Sequence, residues 1–441
     1  MKKFFILGLA TTYSLYALSL DEAISKSLKN NIQLKKVILQ TEQSKEAKKS
    51  KKSKKYGKFN LVASYDHYNI ARTLAPLPPM EMSSSPTAVY SIPTTKDMFT
   101  TGVNYNVILF NGNALQNSYK ISDILEQTSK MKENLAKEEL IYNIKTLYIT
   151  LLALQKQLKA QEEYTKSQHN LLKQVQYAYK LGRKSKLDIL KVKNTYQSSA
   201  YFEAKILSNI DILKSSLTTL MGGYEFDKVE DINIDINEKV STTKDIKLLN
   251  RYKLLELKSE VAKKKVNIQK ASYYPVVDFS AYYGYNYGPN ATTNTYKDGT
   301  TYLDKGDLNS ENIWQAGVHL KWNIYDFGEK TALLQKEKIS KIEAMLDIKD
   351  TQLQINKELK NGYSKLKLSM TSYYSANSEL ELLDEIAKVE KVKYENDAAT
   401  ITDLLDAKAK QKVAYAKMIS AKYEFQKAKY YIDYLLEKGI K

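Results

Sequence analysis

Proline is confined to two windows of this chain, and this confinement limits what the rest of the chain can form. All seven prolines lie within residues 76–93 or at Pro275 and Pro289. Because proline breaks the interior of a helix, the proline-free stretches 112–272 and 290–441 can form long helices. Both stretches are rich in Lys, Glu, Gln, Leu and Ala, which favour helix. The sequence therefore predicts a chain dominated by helices.

Apolar residues in these stretches recur at steps of three and four residues. One series runs from Ile144 to Leu158 and another from Ile206 to Leu220. This spacing is typical of helices that pack along a coiled-coil seam. The stretch 113–181 alone would be about 100 Å long as one straight helix. We therefore expect helices that are longer than a globular domain needs.

A repeat with a period of 215 residues is the strongest internal signal. Tyr179 is matched by Tyr394, and Asp188 is matched by Asp403, with no slip between the pairs. Two copies of one supersecondary unit predict a fold of tandem repeats. The predicted segments are a signal peptide at 1–17, the first repeat at 18–222, a linker with a short strand or small helix at 223–244, and the second repeat at 245–441.

Four segments between the predicted helices alternate apolar and polar residues, as strands with one wet face do. They are residues 59–70, 99–109, 276–287 and 313–323. Strands of this length with one apolar face fit a membrane barrel that has lipid outside and water inside. A soluble sandwich has the same alternation. The barrel is favoured because each strand pair is flanked by long helices and has a polar tip, at 71–98 or 288–312.

Four strands are too few to close a barrel, since the smallest closed membrane barrels have about eight. An open strand edge in lipid would leave backbone groups without hydrogen bonds, which is costly for each group. If these strands enter a membrane, several chains must therefore complete one wall. Three chains would supply about twelve strands.

The composition offers few residues for catalysis or metal binding. The chain has no cysteine, and its three histidines, His67, His169 and His319, lack partners at metal-ligand spacing. No Walker loop, dinucleotide fingerprint or zinc-protease motif is present. We therefore predict no enzyme activity, no cofactor and no metal. The net charge of +18 is spread along the helices except for one dense run at 48–58, which we interpret as a solvated face and not as a nucleic-acid site.

The first residues are typical of a secretory signal. Two lysines precede an apolar stretch at residues 4–10 that is too short to span a bilayer. Cleavage can follow Ala17 or Ser19. We favour Ala17, because Ser19 and Glu22 then form a capping box for the next helix. No apolar stretch of 18 residues follows, so a membrane crossing would have to use β-strands.

Six short motifs, in order along the chain, resemble those of the TolC-like outer-membrane efflux family. They are 20–24 at the first helix start, 109–112 and 323–328 at strand-to-helix junctions, 181–182 and 187–188 at one hairpin tip, and 401–407 at the other. Together with the repeat they make the resemblance specific, and it covers nearly the whole mature chain.

The resemblance implies a mostly α-helical fold with a membrane β-barrel part. Two tandem repeats, each a strand pair plus long helices, would assemble as a homotrimer with a barrel of about twelve strands over a helical tunnel. It also implies a passive duct in the outer membrane with a periplasmic extension. The duct would contact outer-membrane lipid and dock to a periplasmic adaptor and an inner-membrane transporter. Such ducts pass small molecules or proteins in tripartite efflux or type I secretion.

The resemblance also implies roles for residues at the hairpin tips. Asp403 and Asp406 match an acidic pair at the tunnel entrance, where three copies would form a ring that holds cations and raises some carboxyl pKa values. The alternative is that one of them only caps a helix. Tyr394 matches a tyrosine that latches the closed entrance, and Asp188 matches its partner on the other hairpin. The tip that adaptors grip is matched by Leu181, Gly182 and Arg183.

The chain departs from the family pattern at two places. Residues 396–399 contain neither the glycine often seen at the second tip nor a nearby arginine, and Asn31-Ile32 replaces a common Asn-Pro step. A reading from a different class is a periplasmic coiled-coil adaptor, which usually carries a compact β-domain between two helices. Two equal copies, each with one strand pair, favour the duct.

Overall fold

The computed structural model describes residues 17–75, 94–237, 245–289, 293–295, 301–303 and 308–439. In these ranges the helices are α1 (Leu20–Asn30), α2 (Ile32–Ser53), α3 (Ala114–Lys180), α4 (Lys186–Leu220), α5 (Asn250–Ala271), α6 (Glu329–Glu395) and α7 (Ile401–Leu435). The strands are β1 (Lys58–Thr73), β2 (Thr94–Phe110), β3 (Val276–Pro289), β4 (Thr293–Thr295), β5 (Thr301–Leu303) and β6 (Leu308–Lys321). None of the described helices is long and apolar enough to cross a membrane.

Several predicted segments lie partly outside the described residues. They are nearly all of the predicted signal peptide, the linker residues 238–244, and parts of the strand tips 71–98 and 288–312. The described strands extend beyond the predicted ranges towards these tips. β1, for example, continues to Thr73, and β2 begins at Thr94.

The chain divides into two compact units. The first comprises the described parts of Met1–Thr41, Ser129–Glu256 and Asp347–Lys441, and it is helical apart from one β-bridge. The second comprises the described parts of Glu42–Thr128 and Leu257–Leu346, and it contains the strands.

Helix boundaries follow the 215-residue repeat. α3 and α6 each have 67 residues, and α4 and α7 each have 35. The equivalent ends of both pairs are 215 residues apart, so the long helices of the two repeats start and stop at matching positions. α2 and α5 each have 22 residues, with an offset of 218 at their ends.

Side-chain caps set the first two helices. The Ser19 hydroxyl accepts a hydrogen bond from the Glu22 backbone N–H (3.2 Å), as expected of an N-cap. Asn31 separates α1 from α2: its side-chain oxygen accepts from the Leu34 N–H (2.9 Å), and its amide donates to the Leu220 carbonyl (3.0 Å). Asn31 therefore caps α2 although the Asn-Pro step is absent.

The core of the first unit surrounds Tyr148, which is fully buried on α3. Its hydroxyl lies 2.8 Å from the Leu18 carbonyl and 2.9 Å from the Glu230 carbonyl. Leu18 forms a parallel β-bridge with Val229, and a hydrogen bond from the Leu18 N–H to the Lys228 carbonyl (2.8 Å) supports it. The described part of the linker is thereby tied to the start of the chain.

The second unit contains a four-stranded antiparallel sheet in the order β1-β2-β3-β6. Alternate residues share a face, so Phe59 pairs with Tyr105 and Leu61 with Val103 on one side of β1 and β2. This apolar face is open in a single chain: Leu61 is 79% exposed. The opposite face carries polar residues such as Asn60, whose amide donates to the Asn104 side chain (2.9 Å).

Candidate functional site at the helical hairpin tips

The first tip joins α3 to α4 with a Schellman motif. The Arg183 N–H donates to the Ala178 carbonyl and the Gly182 N–H to the Tyr179 carbonyl, both at 2.9 Å. Gly182 has a φ of +73°, and no atom lies within 4 Å of the place where a Cβ would be. The backbone conformation, and not lack of space, therefore favours glycine here. Leu181 is 53% exposed at the same turn.

The second tip, between α6 and α7, has the same turn with different residues. The Ala398 N–H donates to the Lys393 carbonyl (2.8 Å) and the Asp397 N–H to the Tyr394 carbonyl (3.2 Å). Asp397 has a φ of +56° and occupies the position that matches Gly182. The missing glycine therefore changes the residue at the tip but not the backbone turn.

A capping box follows each tip. The Ser185 hydroxyl accepts from the Asp188 N–H (3.2 Å), and the Asp188 carboxylate accepts from the Ser185 N–H and hydroxyl (2.9 Å each). Thr400 and Asp403 form the same box on α7. The Ser185 backbone and hydroxyl lower the pKa of Asp188, and the Thr400 hydroxyl and backbone lower the pKa of Asp403.

Apolar side chains from both hairpins form a small separate core next to the tips. Its buried members are Leu171, Leu172, Val175, Val192, Ile401 and Leu404. Tyr394 packs against this core and is partly buried. Burial raises the pKa of the Tyr394 hydroxyl, and the nearby carboxylates of Asp188 and Asp397 raise it further.

Two lysines at this site were missed by sequence reasoning. The Lys184 ammonium lies 4.7 Å from the centre of the Tyr394 ring and 3.6 Å from the Asp397 carboxylate, so it connects the two tips. The Lys408 ammonium donates to the Ser167 hydroxyl (3.1 Å) on α3, and burial lowers its pKa. The position of Lys408 four residues after the buried Leu404 was the available signal, because residues four apart share a helix face.

The predicted latch residues lie at the same small core but are not bonded to each other. Within the described residues, no hydrogen bond joins the Tyr394 hydroxyl to Asp188, whose carboxylate is held by Ser185. The effect of Asp188 on the pKa of Tyr394 shows that the two groups are near enough to interact electrostatically. The latch stays a prediction.

The predicted acidic pair, Asp403 and Asp406, lines one groove between α6 and α7. Lys393 and Lys410 line the same groove, and the Lys410 ammonium lies 2.7 Å from the Asp406 carboxylate. Asp403 also has the cap role that was considered as the alternative. A carboxylate ring needs three copies of the chain, so the ring and its raised pKa values stay predictions. In the part of the chain that the structure describes, no cluster of three His, Cys, Asp or Glu side chains could hold a metal ion.

Comparison with known proteins identifies the family. The profile described as "outer membrane efflux protein" matches residues 23–223 and 250–436, which together make up most of the chain. The chain belongs to the outer membrane efflux protein family. It is therefore an outer-membrane channel protein, as the sequence predicted.

Individual efflux proteins are similar to this chain over almost its full length. Outer membrane protein TolC of Vibrio cholerae serotype O1 is 20% identical over 430 residues, which cover 93% of this chain and 89% of that protein. The CmeC outer membrane channel of Campylobacter jejuni has a TM-score of 0.78 at 18% identity, covering 95% of this chain and 86% of CmeC. The MtrE outer membrane channel of Neisseria gonorrhoeae, in its open state, has a TM-score of 0.72 at 14% identity and covers 96% and 89%.

Membership in the outer membrane efflux protein family confirms the predicted fold class and location. The long helices are the tunnel part of the fold, and the four-stranded sheet is its barrel part. The reading as a periplasmic adaptor is thereby replaced by the channel. Proteins of this family are passive channels, and TolC-like channels are trimers that work with an adaptor and an inner-membrane transporter.

Proposed function

We propose that three copies of this chain form one duct, in which each copy supplies four barrel strands and two long helical hairpins. The outer edges of the sheet carry the proposal. In the described residues β1 pairs only with β2, and β6 pairs only with β3. Both edges belong to a sheet with an exposed apolar face, and unpaired backbone groups are costly in lipid. Pairing β1 of one copy with β6 of the next would satisfy them.

The duct works without catalysis of its own, as the passive outer-membrane component of an efflux or secretion system. Its partners are a periplasmic adaptor and an inner-membrane transporter. Leu181, Gly182 and Arg183 form the adaptor contact on the first tip. The exposed Leu181 side chain and the turn at Gly182 support this role, because they present an apolar group at the end of a rigid hairpin.

The entrance of the duct is closed by contacts among the hairpin tips. Tyr394 holds the second hairpin against the first through the small apolar core, and the charges around its hydroxyl are those of Asp188 and Asp397. Opening requires Tyr394 to leave this core. Asp403 and Asp406, repeated in three copies, give the entrance a negative ring that favours cations over anions.

Single-channel conductance in planar bilayers tests the gate. We expect Tyr394→Phe combined with Asp188→Ala to raise the conductance several-fold, because the closed arrangement loses its polar contacts while the apolar core keeps its volume. Tyr179→Phe is the matched control, since Tyr179 is the equivalent tyrosine of the first repeat and is 45% exposed. Its conductance should equal that of the unaltered protein.

A second control separates the latch from the helix cap. Ser185→Ala removes the capping box but keeps the Asp188 carboxylate, so it should destabilise the start of α4 without opening the channel. If the double variant assembles normally and its conductance is unchanged, Tyr394 and Asp188 are not the latch. If Ser185→Ala opens the channel as much as the double variant does, loss of the cap is the cause.

A further inference from the structure

The dense basic run at residues 48–58 has no role in the gate or the duct. Some of its lysines are engaged within the second unit. The Lys48 ammonium lies 2.5 Å from Asp123 and 2.9 Å from Glu126, and the Lys49 ammonium lies 2.6 Å from Glu46. Lys55 donates to the Gln116 side chain. These contacts also occupy the acidic groups nearest to the run.

Three other lysines of the run carry charge without a protein partner. Among the described residues, Lys51, Lys52 and Lys54 make no ion pair and no side-chain hydrogen bond. Lys52 and Lys54 are exposed, and Lys51 is partly buried. All three lie in the last turn of α2 or in the short 3-10 turn Lys54–Tyr56 that leads into β1. Lys58 is left out of this group, because its register places it on the polar face of the sheet.

The turn that carries these lysines borders the apolar face of the sheet. The Tyr105 hydroxyl, on that face, donates to the Tyr56 carbonyl (2.8 Å). Tyr56 is 68% exposed, and Phe59, the first residue of β1 on the apolar face, is 76% exposed. Exposed aromatic rings beside lysines are typical of a membrane–water interface, where the rings lie at headgroup level and the ammonium groups reach the headgroups.

The other end of the apolar face lacks such free cations. There, the His67 ring nitrogen lies 2.7 Å from the Asp97 carboxylate on the neighbouring strand. The residues from Phe59 to His67 on β1 extend about 26 Å along the strand, which is near the height of the apolar band of a membrane barrel. Unpaired positive charge thus lies at one end of the band, the end where α2 enters the sheet.

The second repeat provides a comparison at the same depth. At the α5–β3 junction, with its offset of 218 residues, Tyr274 is equivalent to Tyr56 and is 56% exposed. The positions equivalent to Lys51, Lys52 and Lys54 are occupied by Gln269, Lys270 and Ser272. The aromatic residue is therefore common to both repeats, but the lysine cluster belongs to the first.

We propose that Lys51, Lys52, Lys54 and Tyr56 form a binding site for the headgroups of anionic phospholipids. The phospholipids are those of the membrane leaflet at the helix-proximal end of the sheet. Attraction between basic residues and an anionic lipid surface supplies the selectivity, and the exposed tyrosine holds the turn at the interface. The proposal rests on the membrane placement of the sheet and is independent of the gate at the hairpin tips.

Fluorescence quenching by brominated lipids tests this site directly. The chain has two tryptophans, Trp314 and Trp322. With both changed to Phe, Tyr56→Trp places the single reporter beside the lysines, and Tyr274→Trp places it at the equivalent position of the second repeat. The reconstituted protein is titrated with brominated phosphatidylglycerol or brominated phosphatidylcholine at low salt. The ratio of the two lipid affinities is then obtained at each position.

We expect the reporter at position 56 to show a preference of about fivefold or more for phosphatidylglycerol, because each basic residue near the surface contributes about this factor. The reporter at position 274 should show a much smaller preference. Changing Lys51, Lys52 and Lys54 to Gln should bring the ratio at position 56 down to that at position 274. Changing the same three residues to Arg should preserve it, and about 0.5 M salt should weaken it.

A control variant removes the same charge elsewhere. Changing Lys193, Lys205 and Lys214 on α4 to Gln should leave the ratio at position 56 unchanged. The proposal is wrong if position 56 shows no preference in the otherwise unaltered protein, or if the preference survives the Gln substitutions. A preference for lipopolysaccharide phosphates without one for phosphatidylglycerol would also overturn it. Circular dichroism of each variant confirms that it is folded.

Discussion

The two helical hairpins have the same backbone plan but different residues at its critical points. Each described residue with a positive φ that is not glycine faces a glycine at the matched position of the other repeat, or nearly the same turn. The pairs are Asn113 with Gly328, Phe327 with Gly112, Asp397 with Gly182, and Glu437 with Gly222. Turn geometry has therefore been kept where the residue that favours it has not.

The seams of the hairpins differ more than their ends. In the first hairpin, the Gln161 amide donates to the Ser199 carbonyl and hydroxyl, both at 2.9 Å, and the Ser199 hydroxyl lies 2.7 Å from that of Thr165. In the second hairpin the positions of Gln161 and Ser199 are taken by Ala376 and Ala414, which are both buried. A polar layer in one hairpin thus corresponds to an alanine layer in the other. The comparison teaches that turns are more constrained than seams.

The largest expected effect concerns Gln168, which is fully buried in the first seam and whose side-chain amide has no hydrogen-bond partner in the described residues. The equivalent residue of the second hairpin is Leu383. Gln168→Leu should stabilise the protein by about 1–3 kcal/mol, because a buried unsatisfied amide is removed.

Thermal unfolding in detergent, followed by circular dichroism, measures the effect of Gln168→Leu. The reciprocal change, Leu383→Gln, is the matched control and should destabilise less, since Leu383 is only partly buried. An unfolding midpoint that is unchanged or lower for Gln168→Leu would contradict the assignment of Gln168 as an unsatisfied group.

A smaller effect is expected from exchanging residues at the two tips. Gly182→Asp should destabilise the first hairpin by about 1 kcal/mol, because an L-residue is strained at positive φ. Asp397→Gly should relieve that strain at the second tip. The exposed ion pair of Asp397 with Lys184 (3.6 Å) offsets little of the gain.

Paired unfolding curves of the two tip variants decide whether the turns are equivalent. Opposite shifts of the unfolding midpoint are expected. Shifts of the same sign would mean that side-chain contacts, and not φ, dominate at one tip. The difference would then end the comparison of the two turns as equivalent structures.

The smallest effect is the pH dependence of the two capping boxes. The pKa values of Asp188 and Asp403 are lowered in the folded protein. Their contribution to stability is therefore complete above the usual aspartate pKa of about 4 and is lost as the pH falls through the folded values. Asp188→Asn and Asp403→Asn should each reduce the slope of stability against pH below about pH 4. Midpoints measured between pH 6 and pH 3 check this, and an unchanged slope in both variants would contradict it.

Much of the fold could be predicted from residue patterns. The confinement of proline predicts the long helices, and the 215-residue repeat predicts that their ends match. The positive φ of Asp397 and Phe327 follows from no rule for these residue types, but alignment with Gly182 and Gly112 points to it. The packing of the seams, such as the burial of Gln168, requires coordinates, because apolar spacing does not say which polar residue becomes enclosed.

The candidate site was predictable in part. Family resemblance singled out Tyr394 and Asp188, and both lie at one small core between the hairpins. Local spacing gave another role for the acidic residues, since Ser185 with Asp188 and Thr400 with Asp403 have the spacing of a capping box. Lys184 was missed because its contacts with the second tip depend on the packing of two distant segments.

The central claim is that the sheet of one chain is completed in the membrane by sister copies. Native mass spectrometry of the protein released from detergent micelles tests it most directly. The account predicts a single species with the mass of three mature chains, obtained from the membrane fraction. A protein that stays monomeric and soluble without detergent would contradict it.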